Sequence, residues 1–301
     1  MALLMRIFAT GMLLLFTIAG KADEQPDPQF EVTQVAPGLY MLSGVGGFVG
    51  GNIGLSIGPD GVVIIDDAMP PFLDKLTAKI KTVTQQPLDF LINTHVHGDH
   101  TGNNATLGKQ GVRIVAHKNL RQHMVSKGIP GVDGVIDAPS EALPVITFSE
   151  EMTFYLNNNT ANVFHVAHAH TDGDAVIHFR NLNVIHTGDV LFNGLFPFID
   201  LQSGGSIDGY IAGQKQILAK ADNGTKIIPG HGPLASKADL EAAISMLEET
   251  RDIVAKLVAD GKSEEEVVKL NPLTKYEKWS WGFINTEGMT RQLYKGLKQA
   301  M

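Results

Sequence analysis

Three histidines and an aspartate fall within six consecutive positions of the chain, in the segment THVHGDHTG (94–102). On an extended strand His95 and His97 point to the same side, because side chains alternate with a period of two, and their imidazoles can bind one metal ion. The chain must then turn at the following glycine, and Asp99 and His100 can reach a second ion beside the first. Neutral imidazole and carboxylate are good zinc ligands. The motif predicts metal binding, and a chance surface cluster of histidines is the alternative for this segment alone.

A site for two metal ions needs roughly six ligands or more, so further ligands must come from distant parts of the chain. Three candidates follow predicted strands: His170 in AHAHTDGD (167–174), Asp189 in HTGDVLF (186–192) and His231 in IIPGHGP (227–233). Each occupies a polar, glycine-containing exit from an apolar strand, where functional residues tend to lie.

The elements that must position these residues repeat one order in both halves of the chain, with strands first and helices after. Predicted strands of the first half cover 30–35, 39–44, 52–58, 61–67 and 88–94, with a helix over 70–83. Predicted strands of the second half cover 152–156, 161–167, 174–179, 182–188 and 225–230; helices cover 208–221, 236 to about 259, 263 to about 272, and 287–299. Two such halves predict an α+β layered fold, in which two sheets pack together with helices outside. The glycine-rich segment GVGGFVGGN (44–52) lacks a dinucleotide fingerprint and predicts a mobile hairpin loop instead.

The composition restricts the class of protein. Arg6 followed by the apolar run 7–19 and by small residues predicts a signal peptide over 1–22, cleaved after Ala22; an uncleaved anchor is the alternative. The mature chain 23–301 would be a single domain with 22 basic and 32 acidic residues, a net charge of −10, which argues against nucleic acid as a partner. The absence of cysteine excludes thiolate catalysis and Cys-ligated zinc. We therefore expect a periplasmic or secreted protein without stable membrane association after cleavage; its oligomeric state is not indicated.

Four motifs in this order and spacing, HVHGDH, HTDGD, TGD and PGHG, resemble those of the metallo-β-lactamase superfamily of hydrolases over residues 30–235. The resemblance implies an αββα sandwich with a dinuclear metal site, usually zinc, between the loop ends of the two sheets. The order of elements predicted above agrees with that architecture independently.

The resemblance also implies roles for the candidate ligands. The first metal ion would be bound by His95, His97 and His170, the second by Asp99, His100 and His231, and Asp189 would bridge the two. A metal-bound water or hydroxide would be the nucleophile, and Asp99 is the predicted catalytic residue that orients this water or shuttles its proton. His170 is preferred to His168 because it directly precedes Thr-Asp-Gly-Asp, as in the family.

Several other residues keep two interpretations. His186 is either a hydrogen-bond partner of a ligand or a satisfied core histidine, and Asp67 either supports the ligands or forms a turn. His117 and His123 are expected on or near a helix surface. The tryptophans of KWSWGF (278–283) either pack the C-terminal segment, which is the preferred interpretation, or line a substrate pocket.

These observations predict an exported, zinc-dependent hydrolase that uses a metal-bound hydroxide to attack a small carbonyl substrate: a β-lactam, lactone, ester or thioester. The lack of cysteine departs from those zinc β-lactamases that use a Cys ligand, and Asp99, His100 and Asp189 together resemble the thioesterase, lactonase and phosphodiesterase branches. The alternatives are a mononuclear iron sulfur dioxygenase and a non-catalytic metal-binding module.

Overall fold

The structure is a computed structural model that describes residues 27–131 and 134–300. The strands of the first half are β1 (Gln29–Ala36), β2 (Leu39–Val45), β3 (Ile53–Gly58), β4 (Gly61–Ile65), β5 (Phe90–Ile92), β6 (Arg113–His117), β7 (Ile129–Gly131), β8 (Gly134–Ile136) and β9 (Ile146–Phe148). Within the described chain they form a seven-stranded sheet in the order β1-β2-β3-β4-β5-β6-β9, with β7 and β8 paired separately. The strands β4, β5, β6 and β9 run parallel, so their carboxyl ends share one edge.

The second sheet is built from β10 (Glu151–Leu156), β11 (Asn159–Val166), β12 (Asp174–Phe179), β13 (Val184–His186), β14 (Lys226–Ile228) and β15 (Ala235–Ser236), hydrogen-bonded in chain order. The pair β13 and β14 is parallel and the other pairs are antiparallel. The helices are α1 (Leu73–Ile80), α2 (Gly98–Thr101), α3 (Asn104–Lys109), α4 (Lys118–Lys127), α5 (Ile207–Leu218), α6 (Lys237–Ala259), α7 (Glu264–Leu270) and α8 (Thr286–Gln299).

The two sheets pack face to face around a buried core, and helices cover their outer faces. In β4, Val63 and Ile65 point into the core between the sheets, whereas Ile64 points outward to the layer that contains α1. In β12, Ile177 points inward and Val176 outward, to the layer that contains α5 and α6. Strands buried on both faces need apolar residues at every position, which explains their continuous apolar sequences. The predicted α+β layered fold, an αββα sandwich, is confirmed.

The differences from the predicted elements have local causes. The strand predicted over 61–67 ends at Ile65, because Asp66 has a left-handed backbone (φ 62°) that leaves the sheet. The strand predicted over 88–94 is only Phe90–Ile92. Apart from a helix without stated bounds near His117 and His123, sequence analysis assigned no element to residues 112–149, where the structure has β6, α4 and β9 among others. The predicted signal peptide over 1–22 lies outside the described residues.

The glycine-rich segment 44–52 connects the antiparallel strands β2 and β3, as predicted for a hairpin. No helix within residues 27–131 and 134–300 has the length and apolar character that crossing a membrane requires.

The long helix α6 begins at a capping box, which generates a stability prediction. The Ser236 hydroxyl accepts a hydrogen bond from the Asp239 amide, and the Asp239 carboxylate accepts one from the Ser236 amide. Ser236→Ala should lower the free energy of unfolding by about 1 kcal/mol, because an amide at the helix start loses its acceptor. Denaturant unfolding measures this loss. Ser245→Ala, at an exposed site inside the same helix, is the control and should change stability by less than half as much.

Candidate metal centre

The candidate ligands lie where strands of both sheets end. His95 and His97 follow β5, and Asp99 and His100 lie in the short helix α2 that comes next. The others follow strands of the second sheet: His170 after β11, Asp189 after β13 and His231 after β14. The sandwich therefore brings together side chains that are up to 136 positions apart in the sequence, from His95 to His231.

All seven predicted ligands lie in one cluster with two parts. His95, His97, His170 and Asp189 form one group, and Asp99, His100 and His231 form the other; within each group, one donor atom per residue lies within 4.8 Å of the others. This grouping is the same as the division between two metal ions that the sequence analysis predicted.

Asp189 contacts both groups. Its Oδ2 lies 3.5 Å from Nε2 of His170 and 3.6 Å from Nε2 of His95, in the first group. Its two carboxylate oxygens also lie 3.2 Å from Nε2 of His100 and 3.4 Å from Nε2 of His231, in the second group. This position between the groups is the one that a bridging ligand requires.

Several atoms in the cluster are buried without a hydrogen-bond partner. They include Nε2 of His95, Nε2 of His100 and Oδ1 of Asp189. Buried polar atoms in folded proteins nearly always have partners, so unpartnered atoms that converge on one point indicate a bound group. Imidazole nitrogens and carboxylate oxygens are ligands for divalent metal ions such as zinc. The residues present therefore fit a metal centre of the predicted kind.

In four of the predicted histidine ligands, one ring nitrogen forms a hydrogen bond with a neighbouring acceptor, and this bond fixes the orientation of the ring. His97 Nε2 lies 3.0 Å from Asp200 Oδ2, and His170 Nδ1 donates to the Phe198 carbonyl at 2.7 Å. The partners of the other two rings are Thr94 Oγ1 for His95 Nδ1 (3.0 Å) and Asp66 Oδ2 for His100 Nδ1 (2.7 Å). Such partners select the tautomer that leaves the other nitrogen free for a metal ion.

Asp66 connects the two ligand groups. Its carboxylate accepts hydrogen bonds from the Thr94 amide and hydroxyl, both at 2.7 Å, and from His100 Nδ1. Since the Thr94 hydroxyl in turn contacts His95, one buried carboxylate orients a ligand in each group. The left-handed backbone of Asp66 is uncommon for a residue other than glycine and aims this carboxylate at the cluster.

Sequence analysis missed Asp66, Thr94 and Asp200 and considered Asp67 instead. The carboxylate of Asp67 accepts a hydrogen bond from the Asn103 amide at 3.0 Å and forms no hydrogen bond with a predicted ligand. The available signal was a pair of aspartates directly after an apolar strand, but the pattern does not say which of the two faces the cluster.

Three residues of the cluster have the protonation states that metal ligands need. Burial raises the pKa of Asp189, but His100, His231 and His95 outweigh it and hold that pKa well below its usual range. Burial lowers the pKa of His170 to about 4, and burial with His100 lowers the pKa of His95. At neutral pH the carboxylate is therefore ionised and these two imidazoles are neutral. Two other residues of the cluster do not have these states: despite burial, Asp189 and Asp99 raise the pKa of His100 above its usual range and that of His231 to about 9, so these two imidazoles must lose a proton to bind a metal ion.

The remaining histidines lie outside the two groups. His168, the rival of His170, is exposed and contacts the Gly204 carbonyl. His186 is buried and accepts the Gly188 amide, without a hydrogen bond to a predicted ligand. His117 is not at a helix surface as expected: it is buried at the start of α4 and stacks on His165 at 3.8 Å between ring centroids, because packing against β11 covers it.

Comparison with known families supports this site. The model of the metallo-beta-lactamase superfamily matches residues 46–231, which is more than half of the chain and includes every predicted ligand.

Curated relatives are similar over parts of the chain. A hydroxyacylglutathione hydrolase of Polaromonas sp. (strain JS666 / ATCC BAA-500) is 28% identical over 188 residues, which are 58% of this chain and 62% of that protein. A hydroxyacylglutathione hydrolase of Pelagibacter ubique (strain HTCC1062) is 29% identical over 107 residues, 35% of this chain and 37% of that protein. The chain thus spans less than two thirds of the length of these relatives.

Solved structures share the fold at low identity. A metallo-beta-lactamase from Pontibacter korlensis has a TM-score of 0.62 at 19% identity, covering 73% of this chain and 99% of that one. The DIM-1 metallo-beta-lactamase has a TM-score of 0.59 at 18% identity, covering 73% and 98%. A double mutant of the sec-alkyl sulfatase PisA1 has a TM-score of 0.67 at 15% identity, covering 88% and 50%.

The position of Asp66 generates a prediction about metal affinity. In Asp66→Asn the amide NH₂ must face a donor, either His100 Nδ1 or the Thr94 amide, so the ligands lose their orientation. Zinc affinity, measured by competition with a chromophoric chelator, should fall by about 10- to 100-fold. The neighbouring Asp67→Asn is the matched control, because it keeps an acceptor for Asn103, and its affinity should stay within about threefold of the parent. Equal losses in both variants would contradict the role of Asp66.

Proposed function

Because the chain belongs to the metallo-beta-lactamase superfamily, we propose that it is a zinc-dependent hydrolase with two metal ions, acting on a small carbonyl substrate. The cluster of histidines and aspartates fits metal-dependent hydrolysis in general. The observation that carries the dinuclear proposal is the contact of Asp189 with both ligand groups. The candidate substrates are lactones, esters, thioesters and β-lactams.

The ligands divide as the geometry groups them. One ion would be held by His95, His97 and His170. The other ion would be held by Asp99, His100 and His231, and Asp189 would contact both ions. When bound, zinc ions act as Lewis acids that lower the pKa of water towards about 7 and polarise a carbonyl oxygen.

Asp99 is the carboxylate of the cluster that solvent and substrate can reach. Its side chain is 21% exposed, against 4% for Asp189. Asp99 Oδ2 lies 3.3 Å from Nε2 of both His100 and His231, and these neighbours keep its pKa below the usual range despite burial. An ionised carboxylate that solvent reaches can accept a hydrogen bond from water, so we assign Asp99, from its exposure and position, to orient the attacking water and to relay its proton.

The second ligand group argues for hydrolysis over the mononuclear iron alternative. A single iron ion would need only the group around His95, His97 and His170 and would leave the donors of Asp99, His100 and His231 without a role. The similarity to proteins named hydroxyacylglutathione hydrolase favours an ester or thioester among the carbonyl substrates. The similarity to β-lactamase structures supports the fold alone.

We also propose that the protein is exported to the periplasm or secreted. Support comes from the sequence of residues 1–22, in which a basic residue precedes an apolar run and small residues. Amino-terminal sequencing of the processed protein should begin at Asp23. A protein that retains Met1 in the cytoplasmic fraction would contradict the proposal.

A substrate screen tests the proposed reaction. The zinc-loaded full chain is assayed with thioesters, esters, lactones and β-lactams, each with and without a chelator. We expect hydrolysis of at least one carbonyl class, lost on chelation and recovered on adding zinc. Failure with every class, or hydrolysis that resists complete metal removal, would overturn the proposal.

Asp189→Ala tests the shared ligand. Loss of a residue that merely orients a ligand lowers metal affinity or activity by about 10- to 100-fold. Loss of a ligand common to both groups should therefore lower turnover by about 100-fold or more and reduce the metal content. His123 lies on α4 and its Nε2 forms a hydrogen bond with Asp172, outside the cluster. His123→Ala should therefore preserve both turnover and metal content. Full metal content and activity in Asp189→Ala would refute the bridging assignment.

A further inference from the structure

The segment after residue 278 places aromatic side chains beside the metal centre. The two tryptophans of KWSWGF differ in position: Trp279 is buried in the core, as packing predicts, whereas Trp281 is half-buried and Phe283 is 65% exposed. Both lie beyond the part of the chain that the family model matches, residues 46–231. Single exposed apolar side chains are common on protein surfaces, but an exposed apolar patch next to a functional site marks a binding surface.

Three rings form a continuous surface between the two ligand groups, which we call the aromatic wall: Phe198, Phe283 and Trp281. Phe198 lies 5.8 Å from the His97 ring, in the first group, and 5.7 Å from Phe283, between ring centroids. Phe283 lies 5.7 Å from Trp281, which lies 6.0 Å from the ring of His231, in the second group. A substrate whose carbonyl reaches the cluster therefore has the aromatic wall beside it.

Hydrogen bonds hold the aromatic wall in place. Trp281 Nε1 donates to the Phe196 carbonyl at 2.9 Å, and the Phe196 amide donates to the Trp279 carbonyl at 2.8 Å. The Ile199 amide, three residues after Phe196, donates a hydrogen bond to Oε1 of Gln292 in α8 at 2.8 Å. The rings are thus presented on a fixed support, as a preformed binding surface requires.

The two segments that flank the cluster contribute no permanent positive charge. The loop 44–52 and the segment 190–207 contain no Lys or Arg, and Lys127 of α4 contacts the second of them at the Gln202 carbonyl and the Ser203 hydroxyl, both at 3.4 Å. Among the described residues, the ion-pair partners of Asp99, Asp189 and Asp200 are all histidines. Recognition of a substrate carboxylate commonly uses Arg or Lys, so these loops suit an uncharged group.

We infer that the aromatic wall binds an uncharged, apolar acyl group, so that the preferred substrates are esters or lactones with a medium-length alkyl or aryl acyl part and no second carboxylate. This inference rests on the proposed hydrolase function. Hydrolysis adds one water, breaks the acyl C–O bond and yields a carboxylic acid and an alcohol, so no further reactant is needed. The apolar chain would lie on Trp281 and Phe283 while the carbonyl lies at the cluster.

Matched esters test the inference by activity. The zinc-loaded full chain is assayed with the 4-nitrophenyl esters of acetic acid and octanoic acid and with the mono-4-nitrophenyl ester of octanedioic acid. We expect kcat/KM for the octanoate to exceed that for each of the other two by about tenfold or more, because only it buries an uncharged chain. Similar values for the octanoate and the octanedioate would contradict the inference.

Variants localise the effect to the aromatic wall. Phe283→Ala removes an exposed ring and should leave the fold intact, lower kcat/KM for the octanoate by about tenfold, and lower the octanoate-to-acetate ratio of kcat/KM. Tyr155→Ala, a 77% exposed aromatic residue on the edge strand β10, is the control and should change neither value. An unchanged octanoate rate in Phe283→Ala would overturn the assignment.

A binding measurement separates this inference from the proposed function. The chain has only two tryptophans, so octanamide, which is not an ester, should shift the emission of Trp281 whereas acetamide should not. The shift should disappear in Trp281→Phe and remain in Trp279→Phe. An octanamide-dependent shift in a protein that hydrolyses no carbonyl substrate would refute the hydrolase and keep the aromatic wall; hydrolysis without that shift would do the reverse.

Discussion

The buried carboxylate of Asp189 is the constraint on which the rest of the site depends. An ionised carboxylate shielded from solvent is costly unless it is paired, and here imidazoles from both ligand groups surround it. The neighbouring position 230 must be glycine, because a Cβ there would collide with Asp189 Oδ1. Tyr210 of α5 donates to the Asp189 carbonyl at 2.7 Å and anchors its backbone. The position of Asp189 therefore couples the end of β13, the loop after β14 and the outer helix layer.

The sandwich provides this arrangement because the ligand-bearing loops of both sheets meet at one end. Each sheet supplies histidines from the loops at its strand ends, and hydrogen bonds to neighbouring residues orient their rings. Asp66 acts across the first sheet, holding His100 directly and His95 through Thr94. Gly51 in the β2–β3 loop allows close approach to the His100 ring, where any side chain would collide with it. Precise placement of ligands by their neighbours is what distinguishes a metal centre from a chance cluster.

Sequence analysis identified the residues that cluster and the layers of the fold better than the groups that orient the clustered side chains. The ligands follow apolar strands in compact motifs such as THVHGDHTG, so local patterns were sufficient. The role of Asp66 depends on a left-handed φ angle that no local pattern distinguishes from the conformation of Asp67. The aromatic wall depends on the hydrogen bond from Trp281 Nε1 to the Phe196 carbonyl, which joins residues 85 positions apart, and only the tertiary structure shows that contact. Sequence analysis favoured packing for the tryptophans; that is right for Trp279, while Trp281 also reaches the site.

The central claim is that this cluster holds two metal ions with Asp189 between them. Crystals of the full chain, grown with zinc and measured at the zinc absorption edge, test it most directly by anomalous scattering. The account predicts two anomalous peaks, one beside His95, His97 and His170 and the other beside Asp99, His100 and His231, both in contact with Asp189. A single peak confined to one group, or two peaks of which only one contacts Asp189, would contradict it.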